Sequence, residues 1–487
     1  MGILWLCYGY PMVKEAKTYV LLLILLLFAA GQGHARIVNV SSASAINKTW
    51  SAGDTLLFAN GNYSNLSLTL SGTGTAAKPI VLRAATPGEV ILGGSSMIAI
   101  NGKYIEVQGI RFQGTYTGKK HIVQFESSSS HCRLTECAIE AYNPSDATKD
   151  LKWVSIKGKE NRVDHCYFAG KANMGTLLVV WLEENVTPKH QIDHNHFGYR
   201  TPQVDGEGKE LNGQEIIRIG DSSTSMQEAQ CVVERNYFEN CDGEIEIISN
   251  KSCGNIYRNN TFYACAGMLT LRHGNGCTVE GNWFFGGGKK SSGGVRIIGE
   301  NHIVKNNYFQ DLTGNNYRAG LCIVRGKPNS ELNEYFQVKN AEVYDNTFVN
   351  CKEAFCVNYH SSSECNLLAL NTTITNNHVY QDDSHKSNKV VTMAATGGSI
   401  TWSGNMYNAG KFSSYTPASS EWSQNKTMSQ PVPEDGNPTE ETTGPAWLHP
   451  MTPTEVVNSQ NSPIKIQKIL QNGHIYIILP ERKIQIL

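Results

Sequence analysis

The chain has no charge bias, no paired-cysteine metal motif and, after Gly31, no long apolar run. Its 42 Lys and Arg stand against 43 Asp and Glu in 487 residues, so composition supplies neither a basic field for nucleic acid nor an acidic bias toward disorder. None of the 13 cysteines forms a C-x-x-C pair, which argues against structural zinc. Their odd number leaves at least one without an intrachain partner. Many sit beside apolar or repeat-ending positions, as in Asn240-Cys241, Ala264-Cys265 and Asn350-Cys351. Buried thiols acting as small hydrophobes are expected, with a disulfide such as Cys132–Cys137 left open as the alternative. No amphipathic stretch of helical length follows residue 36; a short cap helix within 41–52 is the exception. The Gly-Lys-Ser-rich loop Gly286–Gly294 lacks the strand–loop–helix setting of a phosphate cradle and reads as a loop at a groove edge.

What is present begins with an export signal. Lys14 and Lys17 precede the apolar run Tyr19–Gly31, and small residues lead to Ala35. The apolar core is short for a membrane span, so cleavage near Ala35 (or Ala30) is expected, an uncleaved anchor being the lesser alternative. The expected division is 1–35 signal peptide, 36–410 catalytic domain and 411–487 C-terminal segment. Residues 413–462 are rich in Ser, Thr, Pro and Glu and read as an extended segment or linker, with Trp422 and Trp447 as docking anchors. Residues 464–487 alternate as strands in a tail similar to sorting tails of secreted bacterial proteins.

The 45 glycines and abundant Asn, Ser and Thr suit a turn-rich all-β chain. A unit of the form apolar-x-x-Asn-x-Phe recurs, as in Val233–Phe238, Tyr257–Phe262, Val279–Phe284, Val304–Phe309 and Val343–Phe348. It recurs likewise at Val163–Phe168 and Ile192–Phe197, with weaker copies near Phe112 and Ile139. Successive steps from Phe112 are 27, 29, 29, 41, 24, 22, 25 and 39 residues. A base step of this size with occasional insertions is one coil of a parallel β-helix, whose coils must stack to bury their apolar faces. Asn at a fixed turn tolerates left-handed backbone and can form side-chain ladders.

The stretch 240–276 concentrates chemistry. If Glu244-Ile245-Glu246 lies in a strand, both carboxylates face one side and Ile245 and Ile247 the other. Lys251 follows, and Arg272-His273 comes a coil later. A column of Arg218, Glu246, Arg272, Arg296 and Arg325, spaced 28, 26, 24 and 29 residues apart, is expected to stack along one sheet as an electropositive strip suited to a polyanion. Taken singly, these residues would read as a solvated ladder and surface cations; it is their joint spacing that points to a site.

Glu244-x-Glu246-x-x-x-x-Lys251 followed by Leu271-Arg272-His273-Gly274, with the earlier Gly53-Asp54…Asn60-Gly61-Asn62-Tyr63, resembles polysaccharide lyase family 6, which contains alginate lyases and the dermatan-cleaving chondroitinase B. The likeness covers about residues 38–410. It implies an all-β, single-domain right-handed parallel β-helix with an extended C-terminal segment, export, and Ca2+ as cofactor. It implies Lys251 as general base and Arg272 as general acid. Asn212, Glu244 and Glu246 match metal ligands, with Glu215 assisting. Arg218, His273 and Arg296 match substrate contacts, and Glu334 and Tyr359 are looser matches for that role.

Cleaving a uronate polymer by elimination requires neutralising the C5 carboxylate, a base for the C5 proton and help for the leaving O4. Calcium takes hard oxygen ligands and suits the first task. A guanidinium, with a pKa above about 12, is better suited to stabilising charge at O4 than to giving up its own proton. The expected activity is Ca-assisted β-elimination on alginate, giving oligosaccharides ended by a 4,5-unsaturated uronate. A dermatan sulfate lyase and a non-catalytic glycan-binding β-helix are the alternatives. A hydrolase on this fold would present several Asp together, which the column lacks. The expected partner is an anionic uronate polysaccharide, with no nucleic acid and no stable membrane insertion after signal cleavage.

Overall fold

The structure is a computed structural model that describes residues 35–448 and, as backbone, the strands Gln467–Gln471, His474–Leu479 and Arg482–Gln485. The expected signal segment lies outside the described residues apart from Ala35. Among the described residues no helix is long and apolar enough to cross a membrane.

Short strands alternate among three parallel sheets of 14 strands each, every strand between the two ends of its sheet pairing with its counterpart one coil earlier and one coil later. This is a parallel β-helix. It starts at Ile37–Val40, where the one-turn helix Ala43–Ile46 is capped by the Ser42 side chain, and its last paired strand is Trp422–Gln424. Pairing therefore runs beyond residue 410. The repeat fades there because Trp402, Phe412, Tyr415 and Trp422 pack together to close the end of the core, replacing the Asn-x-Phe pattern. Trp422 belongs to this plug rather than anchoring the segment that follows.

The repeat unit is the spine of the rod. Its apolar position fills one inner column, Val163, Ile192, Val233, Tyr257, Val279, Val304 and Val343, all with no exposed surface. Its Phe fills another: the rings of Phe197, Phe238, Phe262, Phe284, Phe309 and Phe348 stack with centroids 4.8, 4.7, 4.6, 4.8 and 4.5 Å apart, close to one coil rise. Its Asn forms a buried ladder from Asn195 through Asn236, Asn260, Asn282, Asn307, Asn346 and Asn377 to Asn405. Each side-chain amide donates to the next carboxamide oxygen at 2.9–3.0 Å. The left-handed residue of the turn is the one before the rung, such as Arg235 or Asn259, and not the rung itself. At Cys166 a thiol occupies the rung, and its amide donates to Asn195. All twelve described cysteines are free and buried, Cys132 and Cys137 included.

Residues 431–447 run back along the second sheet, toward the N-terminal coils. Tyr308 donates to the Pro431 carbonyl at 3.1 Å, Gly444 N–H to His194 O at 2.8 Å, and the Trp447 indole to Glu136 O at 2.7 Å. The Trp447 ring lies on Gly88, where a Cβ would come within 2.4 Å of it, so this position excludes any larger residue. The last 40 residues, 448–487, form a separate unit whose three strands pair antiparallel.

Candidate active site

The site lies on the third sheet, on the strands Ile217–Gly220, Glu246–Lys251, Met268–His273 and Val295–Ile297. The expected column of Arg218, Glu246, Arg272, Arg296 and Arg325 does not form. The register aligns Arg218 with Ser249, Ser249 with Thr270, Thr270 with Arg296, and Arg296 with Cys322. Glu246 lies three residues before Ser249 and Arg272 two beyond Thr270, and the pairing between their strands also slips twice. Pairing jumps between Glu246 and Ile248, and again where Asn250 faces Leu271 but Lys251 faces His273. Arg272 is the extra residue of the second slip. A bulge of this kind leaves its residue unpaired and re-aims the side chain. Arg325 follows the strand Leu321–Val324 and donates to His360 O at 2.9 Å. Glu244 sits in a bend before its strand, with Ile245 half-buried and Ile247 in the core, so the expected alternation begins only at Glu246.

The bulges and bend bring three carboxylates and three cations together. Glu246, at the strand start, accepts from Arg296 and from the Ser249 hydroxyl, and its Oε1 lies 3.9 Å from Arg272 Nε. Glu215 is buried; its Oε2 accepts from Thr176 at 2.6 Å and its Oε1 lies 3.8 Å from Lys251 Nζ. Glu244 accepts from Gly213 N–H at 3.0 Å through Oε2, while its buried Oε1 has no partner. Burial, with Glu215 and Glu246 as neighbouring negative charges, pushes the Glu244 carboxyl up to about 8. Arg272 donates to the carbonyls of Glu334 (2.7 Å) and Asn333 (3.2 Å), and its guanidinium lies 4.2 Å over the Tyr335 ring. His273 is buried beside Arg272 and Lys251; desolvation first, then both cations, lower its ring to about 3. It is therefore neutral. Because Arg272 Nη1, 3.4 Å away, can only donate, Nδ1 accepts and Nε2 carries the hydrogen facing Ser222.

The remaining expected residues stand further out. Arg218 lies 5.2 Å over the Trp181 ring. Asn212 is exposed and reaches the group only through its neighbour Gly213. The Glu334 carboxylate is paired with Lys327, so only its carbonyl takes part. Tyr359 touches the site through Tyr317, whose ring packs against it edge-on and lies 5.5 Å from the Arg296 guanidinium. Tyr335 and Tyr317 were not anticipated. The 39-residue step from Phe309 to Phe348 signals the insertion that carries them, but not where it folds.

Among the described residues no three His, Cys, Asp or Glu side chains form a metal cage by themselves. Glu246 is turned onto Arg296 and Glu215 onto Thr176. What fits a cation is the donor chemistry: an all-oxygen set of Asn212, Glu215, Glu244 and Glu246, with an orphaned, desolvated oxygen on Glu244.

The sequence model of the Chondroitinase B family matches residues 38–431. No curated protein matches the chain. Among solved structures, the family 6 alginate lyase AlyGC superposes with a TM-score of 0.76 and 33% identity, covering 88% of this chain and 59% of that one. A point variant of it gives 0.79 and 32%, covering 86% and 60%. This chain thus spans about three fifths of the length of AlyGC. A mannuronic-acid-specific family 6 lyase from human gut microbiota matches with a TM-score of 0.68 and 29% identity, covering 85% of this chain and 96% of that one. With the family profile matching residues 38–431 and relatives 32–33% identical over most of its length, the chain belongs to polysaccharide lyase family 6, the family of chondroitinase B.

Proposed function

We propose that the protein is an exported lyase that cleaves alginate by β-elimination with the assistance of bound calcium. The observation that carries this reading is the convergence of Lys251, Arg272 and the Glu215–Glu244–Glu246 carboxylates on one sheet face. The names of the relatives support the choice of polymer: an alginate lyase at 32–33% identity and a mannuronic-acid-specific lyase at 29%.

Lys251 takes the C5 proton, and the ammonium it becomes is steadied by Glu215 at 3.8 Å. Arg272 is pinned between two carbonyls and the Tyr335 ring, so its charge is already oriented when negative charge develops on O4. Its charge stabilises O4, and the hydrogen for O4 comes from the Lys251 ammonium or from water. Neutral His273 accepts from Arg272 and limits its movement. Arg218 and Arg296 hold uronate carboxylates on either side. Calcium bound by Asn212, Glu244 and Glu246, with Glu215 assisting, would supply a fixed positive charge for the C5 carboxylate.

The test is incubation with alginate while following the ultraviolet absorbance of the new C4–C5 double bond, with and without chelator. Absorbance that rises and is abolished by chelation is expected. New reducing ends without the chromophore would sink the reading. The Chondroitinase B match favours dermatan sulfate as a second substrate, and a parallel incubation decides between them.

A further inference from the structure

We infer that the groove extends from Lys251 toward the N-terminal coils into a second subsite for an acidic sugar, floored by Gly220 and built by Trp181 and Lys157. This rests on the uronate-lyase reading above. Gly220 pairs with Lys251; the residue before it, Ile219, pairs with Val180, and Val180 pairs with Ile156. Trp181 and Lys157 each follow directly, so Lys251, Gly220, Trp181 and Lys157 occupy successive coils of one column. At about 4.8 Å per coil, Trp181 stands about 10 Å from Lys251 along the rod and Lys157 about 14 Å.

Gly220 has φ +83°, and a Cβ there would meet the Lys251 carbonyl oxygen at 2.4 Å. The backbone thus demands glycine, and glycine leaves the floor bare between the base and Trp181. Beyond it opens a cavity of about 490 Å3 whose lining includes His121, Gln124, Ser155, Lys157, Trp181 and Glu183. The indole is held in place, its N–H donating to Ser155 Oγ at 3.0 Å. Its half-exposed ring can take the C–H face of a pyranose. Lys157 forms no ion pair among the described residues and is free to receive the sugar carboxylate. Glu183, fixed by the Gly158 amide at 3.0 Å and the Ser127 hydroxyl, offers acceptors to sugar hydroxyls. A stacking ring, a cation and hydroxyl acceptors around one cavity are what a single uronate unit requires. The site would grip long chains and leave short ones unaffected.

The experiment compares kcat/KM on uronate trisaccharides and hexasaccharides for the unmodified protein, Lys157→Ala, Trp181→Ala and Trp181→Phe. The preference for the hexasaccharide should fall about tenfold in the two alanine variants, through KM rather than kcat, and persist in Trp181→Phe. Equal losses on both lengths would mean that Trp181 only positions Arg218, and an unaltered preference would mean that no subsite exists; either overturns the inference while leaving the lyase reading intact. An unmodified protein idle on both oligosaccharides overturns both.

Discussion

The Glu244 carboxyl is the group in the site worst matched to its surroundings: buried, flanked by two other carboxylates, and left with one oxygen unpartnered. Its folded value of about 8 lies above the ordinary 4.5, so between those pH values the folded chain holds a proton that the unfolded chain does not. Without metal, stability from this group is full below 4.5 and declines as pH rises through 8. Glu244→Gln keeps the shape and removes the charge. In chelator above pH 8 it should melt higher than the parent, with no difference below pH 4.5. Added calcium should raise the melting temperature of the parent above pH 8 and leave the variant unmoved; an equal response in both would remove Glu244 from the cation site. Lys251→Ala and Arg272→Ala should each lower elimination by about a hundredfold to ten-thousandfold while circular dichroism shows the β-helix intact. Full activity in either would overturn its assigned role.

At the scale of the strand and its ladder, the repeat and the site obey different rules. An Asn rung serves both neighbours: Asn282 accepts from the Asn260 amide and side chain, and donates to Tyr257 O, Glu280 O and Asn307 Oδ1. Asn282→Ala strands buried donors of Asn260 and should cost about 2–4 kcal/mol in urea unfolding, since each unsatisfied buried group costs about 1–3 kcal/mol. A loss under about 0.5 kcal/mol would show that water replaces the rung. The ladder was legible in sequence because the spacing inside each apolar-x-x-Asn-x-Phe unit is constant, whatever the length of chain between units. The arginine column was misread because equal sequence spacing does not fix register when the turns between coils differ in length: Arg272 lies two residues beyond Thr270, the residue in line with Arg218 and Arg296.

Across the whole molecule, each coil touches mainly its neighbours, while residues 431–447 bridge distant coils. They tie the coil of Tyr308 to those of His194 and Glu136. Trp447→Ala should open this segment to limited proteolysis while the stacked coils resist; an unchanged digestion pattern would show that Trp447 does not hold it. Acid acts on the entire rod through buried neutral histidines. Burial pushes His302 down to about 4 and His190 to about 3, while His302 accepts from Cys277 N–H and donates to Ile298 O. Because the folded values lie below the ordinary 6.5, their contribution is full above 6.5 and is lost as pH falls toward 4. The urea midpoint should drop across that window, more shallowly in His302→Asn; a parallel slope would clear His302.

The coil could be read from the residues alone. Apolar, Asn and Phe positions recur at coil-length steps, and only stacking can bury them, so fold, core and ladder follow from the chain. It also placed Glu244, Glu246, Lys251 and Arg272 within reach of one another, because they lie on two successive coils. Which way those side chains point depends on the folded backbone. Two bulges, a bend before Glu246 and the insertion carrying Tyr335 fix Arg272 against backbone carbonyls and leave one Glu244 oxygen without a partner, and neither bulge nor insertion path has a periodic signature that spacing could reveal.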